Sequence, residues 1–256
     1  MNLFAPLTFL AVLVSSAAAA FIPLTAACIK GVTFEGTPKG VMKTINGVNT
    51  YVAKAHRPSD PRRALLFLTD IFGLPLVNSK LMADDFAANG FDTFIPDYFK
   101  FNMTAWLPNH GETQTFPVLL ATIEGLKKEG FKEFAATGYC FGGLYTTRLS
   151  QQNLVKVGTM AHPSLLTIPD DFTTLLANSH VPIQINSAEL DVAFPPATQA
   201  IVDGILADGK YEPGYNRTFF PGVAHGFAVR ANLSDPVAKA AKEGAFFAAV
   251  EWLRAH

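Results

Sequence analysis

Gly138-Tyr139-Cys140-Phe141-Gly142-Gly143 follows a short strand-like run over residues 132–136 and precedes a helical pattern over residues 144–154. The hexapeptide has the G-x-nucleophile-x-G form of a nucleophile elbow, with cysteine where serine is common. Such a turn forces its central residue into a strained backbone conformation. Side chains at Gly138 and Gly142 would meet the neighbouring strand and helix, which accounts for the glycines. A thiol at a helix N-terminus is favoured as thiolate by the partial positive charge there. The competing reading is a buried core cysteine beside a glycine-rich turn.

In a fold built on this elbow, the acid and then the histidine follow the nucleophile along the chain. Residues 181–186 (VPIQIN) form an apolar strand that runs into Ser187-Ala188-Glu189-Leu190-Asp191, so Asp191 lies on a loop past a strand end. Residues 217–220 form a strand leading to Pro221-Gly222-Val223-Ala224-His225-Gly226-Phe227, so His225 lies on another loop among small residues. The order is Cys140, Asp191, His225. Taken singly, Asp191 also reads as a turn or cap residue and His225 as a surface histidine. His162, at the end of a strand over residues 155–160 and before Pro163, competes for the role of base. A histidine before proline at a strand end is more often structural, so His225 is preferred.

From residue 28 onward the chain resembles the dienelactone hydrolases of the α/β-hydrolase superfamily. The resemblance rests on Thr69-Asp70-Ile71-Phe72-Gly73, Pro96-Asp97-Tyr98-Phe99, the elbow itself, and Pro221-Gly222 with His225-Gly226-Phe227. Cys28-Ile29-Lys30-Gly31 and Glu35-Gly36-Thr37-Pro38 look like the fungal branch. The resemblance implies Cys140 as nucleophile, His225 as base, Asp191 as the group that orients it, and backbone N–H groups of Ile71 and Phe141 as the oxyanion hole. It departs from the best-known members at Asp70, where they carry a glutamate that partners the resting thiol. Asp70 is therefore expected near the nucleophile with a shorter reach. Those members also bind a substrate carboxylate with two arginines. Here Arg230 matches one, offset by a residue, and no Lys or Arg lies between Lys100 and Lys127.

Composition agrees with an enzyme. The 256 residues are 49% hydrophobic and 16% charged, which argues against disorder. Net charge is −1 without a basic block, so no nucleic-acid footprint exists. The two cysteines, Cys28 and Cys140, exclude a disulfide-stapled module. No HExxH or CxxC spacing points to a metal, and no cofactor is expected.

Residues 3–14 are apolar and are followed by Ser15-Ser16 and the small residues 17–20, which read as a signal peptide over residues 1–20 with cleavage there or as late as residue 27. A single α/β domain is expected over residues 28–256. The n-region has no Lys or Arg, and apolar character persists to about residue 27, so a retained anchor is the alternative. Secretion is expected, with no stable membrane association after cleavage. Asn102, Asn216 and Asn232 stand in N-x-S/T sequons and are glycosylation candidates.

The remaining pattern alternates strands and helices. Asn46-Gly47 lies between strand-like runs within residues 41–53, a type I′ hairpin signal. Strands follow over residues 64–69 and 91–96, and helices over 78–88 and 118–128. Asp235-Pro236 caps a last helix with Phe246, Val250 and Leu253 on one face. Repeated β–α units after a hairpin predict a mostly parallel sheet with helices on both faces. Residues 98–116, with Trp106, read as an irregular lid whose aromatics line the pocket or only anchor the loop.

The expected reaction is hydrolysis of a carboxylic ester or lactone through a thioester, by a monomer or weak dimer acting on a small molecule. Amide cleavage is disfavoured, since thiolate leaves more readily than an unactivated amine. The alternative class is a secreted, non-catalytic binding protein on a hydrolase scaffold.

Overall fold

The opening hairpin forms where Asn46-Gly47 places it. Strands β1 (Val41–Ile45) and β2 (Val48–Ala53) pair antiparallel. Asn46 and Gly47 have φ of 46° and 82°, the left-handed pair that a type I′ turn requires. This computed structural model describes residues 30–99 and 111–256. The expected leader, Cys28, Lys100, Asn102 and Trp106 lie outside the described residues.

Six further strands complete one sheet: β3 (Arg63–Leu68), β4 (Asp92–Pro96), β5 (Glu133–Tyr139), β6 (Val157–Ala161), β7 (Ile183–Leu190) and β8 (Tyr215–Ala224). Their order is β1-β2-β4-β3-β5-β6-β7-β8. From β4 to β8 every pairing is parallel. β3 lies between β4 and β5, so strand order reverses there, and the crevice beyond the carboxyl ends of β3 and β5 is where such sheets bind ligands.

Seven helices cover the sheet among the described residues: α1 (Val77–Ala88), α2 (Glu112–Lys128), α3 (Phe141–Gln151), α4 (Asp170–Asn178), α5 (Pro196–Leu206), α6 (Phe227–Arg230) and α7 (Pro236–Ala255). Strand alternation divides the core into two layers. In β3, Ala64, Leu66 and Leu68 pack with Leu119 of α2, Tyr145 of α3, Phe172 of α4 and Val202 of α5. Leu65 and Phe67 face the other way, onto Phe86 of α1 and Phe246 and Val250 of α7. The α/β-hydrolase arrangement expected from the sequence is the one observed.

Several boundaries differ from the sequence pattern. The elbow strand extends from residue 136 to Tyr139, and its helix begins at Phe141 rather than residue 144. Glycines 142 and 143 weaken the helical pattern, but tertiary packing decides. Helix α2 begins at Glu112, so residues 112–116 are helical rather than lid. The Gln114 side chain accepts a hydrogen bond from the Gly111 N–H at 2.9 Å, closing the first turn despite Pro117 further in.

Candidate active site

Each site residue stands immediately after a strand. β5 ends at Tyr139, and Cys140 turns the chain into α3 with φ 53° and ψ −112°, a conformation costly for a residue with a Cβ. Neighbouring packing holds it. The Cys140 N–H donates to the Ala161 carbonyl at 3.2 Å, and its own carbonyl accepts from Gly143 and Ser164 N–H groups at 2.9 and 3.1 Å. A Cβ on Gly142 would stand 2.0 Å from the Leu68 carbonyl oxygen of β3, and one on Gly138 would stand 2.3 Å from Thr146 Oγ1 of α3. The elbow thus presses directly against β3 and α3, which leaves no room for a side chain at either glycine.

β7 ends at Leu190 and delivers Asp191, which is buried. One of its oxygens accepts from the N–H groups of Ala193 and Phe194 at 2.8 and 3.1 Å. β8 ends at Ala224 and delivers His225, whose Nδ1 lies 2.9 and 3.0 Å from the two Asp191 oxygens. The imidazole also interacts with the Cys140 thiol, each group shifting the pKa of the other.

Charges in this constellation support one another. Burial opposes charge on His225, but its bonds to Asp191 and Cys140 outweigh that and raise its pKa to about 9. Burial likewise opposes the Cys140 thiolate, yet hydrogen bonds from His225, Ser164 and the Phe141 N–H bring its pKa below the ordinary thiol value. Asp191, buried but paired with His225, is held below the usual carboxylate range. The arrangement favours thiolate, imidazolium and carboxylate in a row.

The remaining candidates fall into place around it. Phe141 supplies an N–H at the sulfur, and Ile71 lies on the turn after β3, packed against the core cluster that includes Cys140 and Phe141. Asp70 is fully buried. Its Oδ1 accepts from the Phe72 N–H at 3.0 Å and its Oδ2 from Arg230 Nε at 3.1 Å. Its hydrogen bonds therefore run to Phe72 and Arg230 and not to Cys140. Burial raises the Asp70 pKa in spite of these partners. Arg230, at the end of α6, also lies over the Phe72 ring at 4.6 Å.

His162 is fully buried with φ 39°, and neither ring nitrogen has a hydrogen-bond partner among the described residues. Burial and the neighbouring His225 charge push its pKa down to about 3, so it is neutral. It packs edge-on to His225, with centroids 5.0 Å apart, and does not bond Cys140.

Ser164 is the site residue that the sequence reading missed. The available signal was its place in His162-Pro163-Ser164, after the end of β6. Asn216 and Asn232 are exposed. No group of three or more His, Cys, Asp or Glu is arranged to hold a metal ion among the described residues.

The model of the dienelactone hydrolase family matches residues 48–256. The hydrolase pyvD of Aspergillus violaceofuscus is 35% identical over 243 residues, covering 90% of this chain and 96% of its own. Dienlactone hydrolase 1 of Gibberella moniliformis is 31% identical over 252 residues, covering 90% of this chain and 93% of its own. A putative dienelactone hydrolase from Klebsiella pneumoniae superposes with a TM-score of 0.72 at 13% identity, covering 85% of this chain and 98% of its own.

Proposed function

The chain belongs to the dienelactone hydrolase family and is a hydrolase of ester bonds in small molecules; on that premise we propose that Cys140, His225 and Asp191 are its catalytic triad and that it works through a thioester. The observation that carries this reading is the Asp191–His225 hydrogen bond together with the mutual electrostatic influence of His225 and the thiol on the strained elbow.

The Cys140 thiolate attacks the substrate carbonyl carbon and forms a C–S bond. The carbonyl oxygen gains the charge and is stabilised by the N–H groups of Phe141 and Ile71, each such donor being worth about 3–4 kcal/mol. Collapse of the tetrahedral intermediate breaks the C–O bond. The departing alkoxide takes the proton from His225 Nε2, and with a lactone it stays tethered to the acyl group. His225, now neutral, takes a proton from water as the water attacks the thioester. The C–S bond then breaks, which regenerates thiolate and imidazolium and releases the acid. Asp191 holds Nδ1–H throughout and so fixes the tautomer.

We read the preferred substrates as neutral short esters or hydrophobic lactones. Arg230 already has its charge balanced by the buried Asp70 carboxylate. Phe72, Leu165 and Val192, on the loops after β3, β6 and β7, are exposed apolar residues along the same edge. A panel of esters and lactones, with Cys140→Ala as the blank, tests the assignment. Neutral members are expected to give the higher kcat/KM. An anionic dienelactone as best substrate would overturn the substrate reading, and unchanged turnover in the blank would overturn the nucleophile. Cleavage of residues 1–20, export and glycosylation at the exposed Asn216 and Asn232 are part of the same proposal.

The His225 shift gives a pH prediction. Above about pH 9 the imidazolium loses its proton, so no acid remains for a poor leaving group. For an unactivated alkyl ester, kcat/KM should fall above about pH 9, whereas a nitrophenyl ester, which needs no protonation on leaving, should show a weaker fall. An alkyl-ester rate still climbing through that region would rule out His225 as the general acid. By the same shift, the contribution of His225 to stability is complete below its ordinary value of 6.5 and is lost as pH rises through about 9.

A further inference from the structure

Ser164 holds the nucleophile with both its backbone and its side chain. Its N–H donates to the Cys140 carbonyl at 3.1 Å, and its hydroxyl oxygen stands 3.4 Å from Cys140 Sγ. The hydroxyl has no other hydrogen bond among the described residues. The turn that carries it is shaped for the purpose. β6 stops at Ala161, and His162 and Leu165 then adopt φ of 39° and 60°, folding the segment between them back over the elbow. Pro163 packs so closely on α3 that a Cβ on Gly143 would lie 2.6 Å from its Cβ. Two left-handed non-glycine residues within four positions are a costly way to place one serine.

The chemistry of the pair depends on the state of the sulfur. A thiol is a weak donor and a weak acceptor, so its contact with a hydroxyl counts for little. A thiolate is acceptor-only, and the hydroxyl is then the natural donor in a charge-assisted bond. We propose that Ser164 is a positioning residue for the hydrolysis, donating its hydroxyl hydrogen to the Cys140 thiolate and fixing the sulfur beside His225 before attack. This rests on Cys140 being the nucleophile. Once the C–S bond has formed, the thioester sulfur is a poor acceptor and the hydroxyl is released. The contact therefore stabilises the resting ion pair more than the acylated state.

The other titratable or charged groups around Cys140 are His225 and Arg230 from the segment after β8, Asp191 after β7, His162 after β6, Asp70 after β3 and Tyr98 after β4. Asp70 is paired with Arg230, and His162 and Tyr98 stay uncharged through the neutral range, burial being the main cause in both. Ser164 is thus the side chain hydrogen-bonded to the sulfur among the described residues, and His225 is the charged group that acts on it electrostatically.

The test is the pH dependence of iodoacetamide alkylation of Cys140, alongside kcat and KM for a neutral ester, in wild type, Ser164→Ala and the isosteric pair Ser164→Thr and Ser164→Val. Ser164→Ala and Ser164→Val should raise the alkylation midpoint by about one pH unit, a roughly tenfold loss of thiolate at pH values well below the wild-type midpoint. The alkylation plateau at high pH should not fall, since an unbonded thiolate is no weaker a nucleophile. kcat measured at pH values well below that midpoint should fall about tenfold with KM little changed, as expected when a group away from substrate is removed. Ser164→Thr should restore both readouts. Because threonine and valine share a shape, a common midpoint for that pair overturns the proposal even if Ser164→Ala does not fold. Turnover that survives Cys140→Ala would defeat the triad reading itself. A cysteine that is essential but indifferent to residue 164 defeats only the role given to Ser164.

Discussion

Cys140→Ala and His225→Ala are each expected to lower kcat for a neutral ester by about four to six orders of magnitude, with KM changed far less. The two losses should be nearly equal, because the groups act as a unit. Without His225 the sulfur has no acceptor for its proton and the alkoxide no donor; without Cys140 the imidazole has nothing to activate. What survives in either case is binding and oxyanion stabilisation, so the double variant should be little worse than either single one. Asp191→Asn should be the mildest of the three, since it removes orientation and charge support for His225 while leaving the nucleophile and base in place. Steady-state kinetics with circular dichroism as a control for folding would check the series. Full turnover in His225→Ala, with loss in a folded His162→Ala, would mean that the base has been assigned to the wrong imidazole.

Gly142→Ala is expected to destabilise the fold by about 3–5 kcal/mol or to prevent soluble expression, out of proportion to one methyl group. The added carbon would stand 2.0 Å from the Leu68 carbonyl oxygen and 2.5 Å from its carbon. That backbone cannot retreat, because β3 is hydrogen-bonded to β4 on one side and β5 on the other. Helix α3 would have to lift off the strand and carry the elbow with it. Gly204 in α5 is the matched control. A Cβ there meets nothing within 4 Å, and Gly204→Ala should raise stability by about 1 kcal/mol through helix propensity alone. Urea denaturation of the two variants separates the effects. A Gly142→Ala protein that unfolds like wild type would contradict the close approach of elbow and strand.

Local signals in the chain carried most of the candidate site. The elbow announces itself by glycine spacing, and Asp191 and His225 by lying just past apolar strands, so their meeting follows once the strands are known to be parallel neighbours. Helices α4 and α6 have no such signal: one has nine residues and the other four, too short for a periodic face to register. The strand before His225 read as residues 217–220 because Pro221-Gly222 looks like a stop, yet β8 runs to Ala224. It is an edge strand, where a missing N–H on the open side costs little. The role of Asp70 could not be read locally either. Its partner Arg230 lies 160 positions away, and only the folded chain shows that the two hold each other.

The Asp70–Arg230 pair has a mechanical consequence. Asp70 adjoins Ile71, the proposed oxyanion donor, and Arg230 closes the short helix that starts two residues after His225. A single ion pair, buried on its carboxylate side, therefore clasps the wall that receives negative charge to the wall that moves protons, so the two cannot drift apart independently. Leu165 and Val192 lie outside that clasp, on turns of their own. Residues there can be exchanged, and the range of acceptable substrates retuned, while the reacting groups keep their spacing.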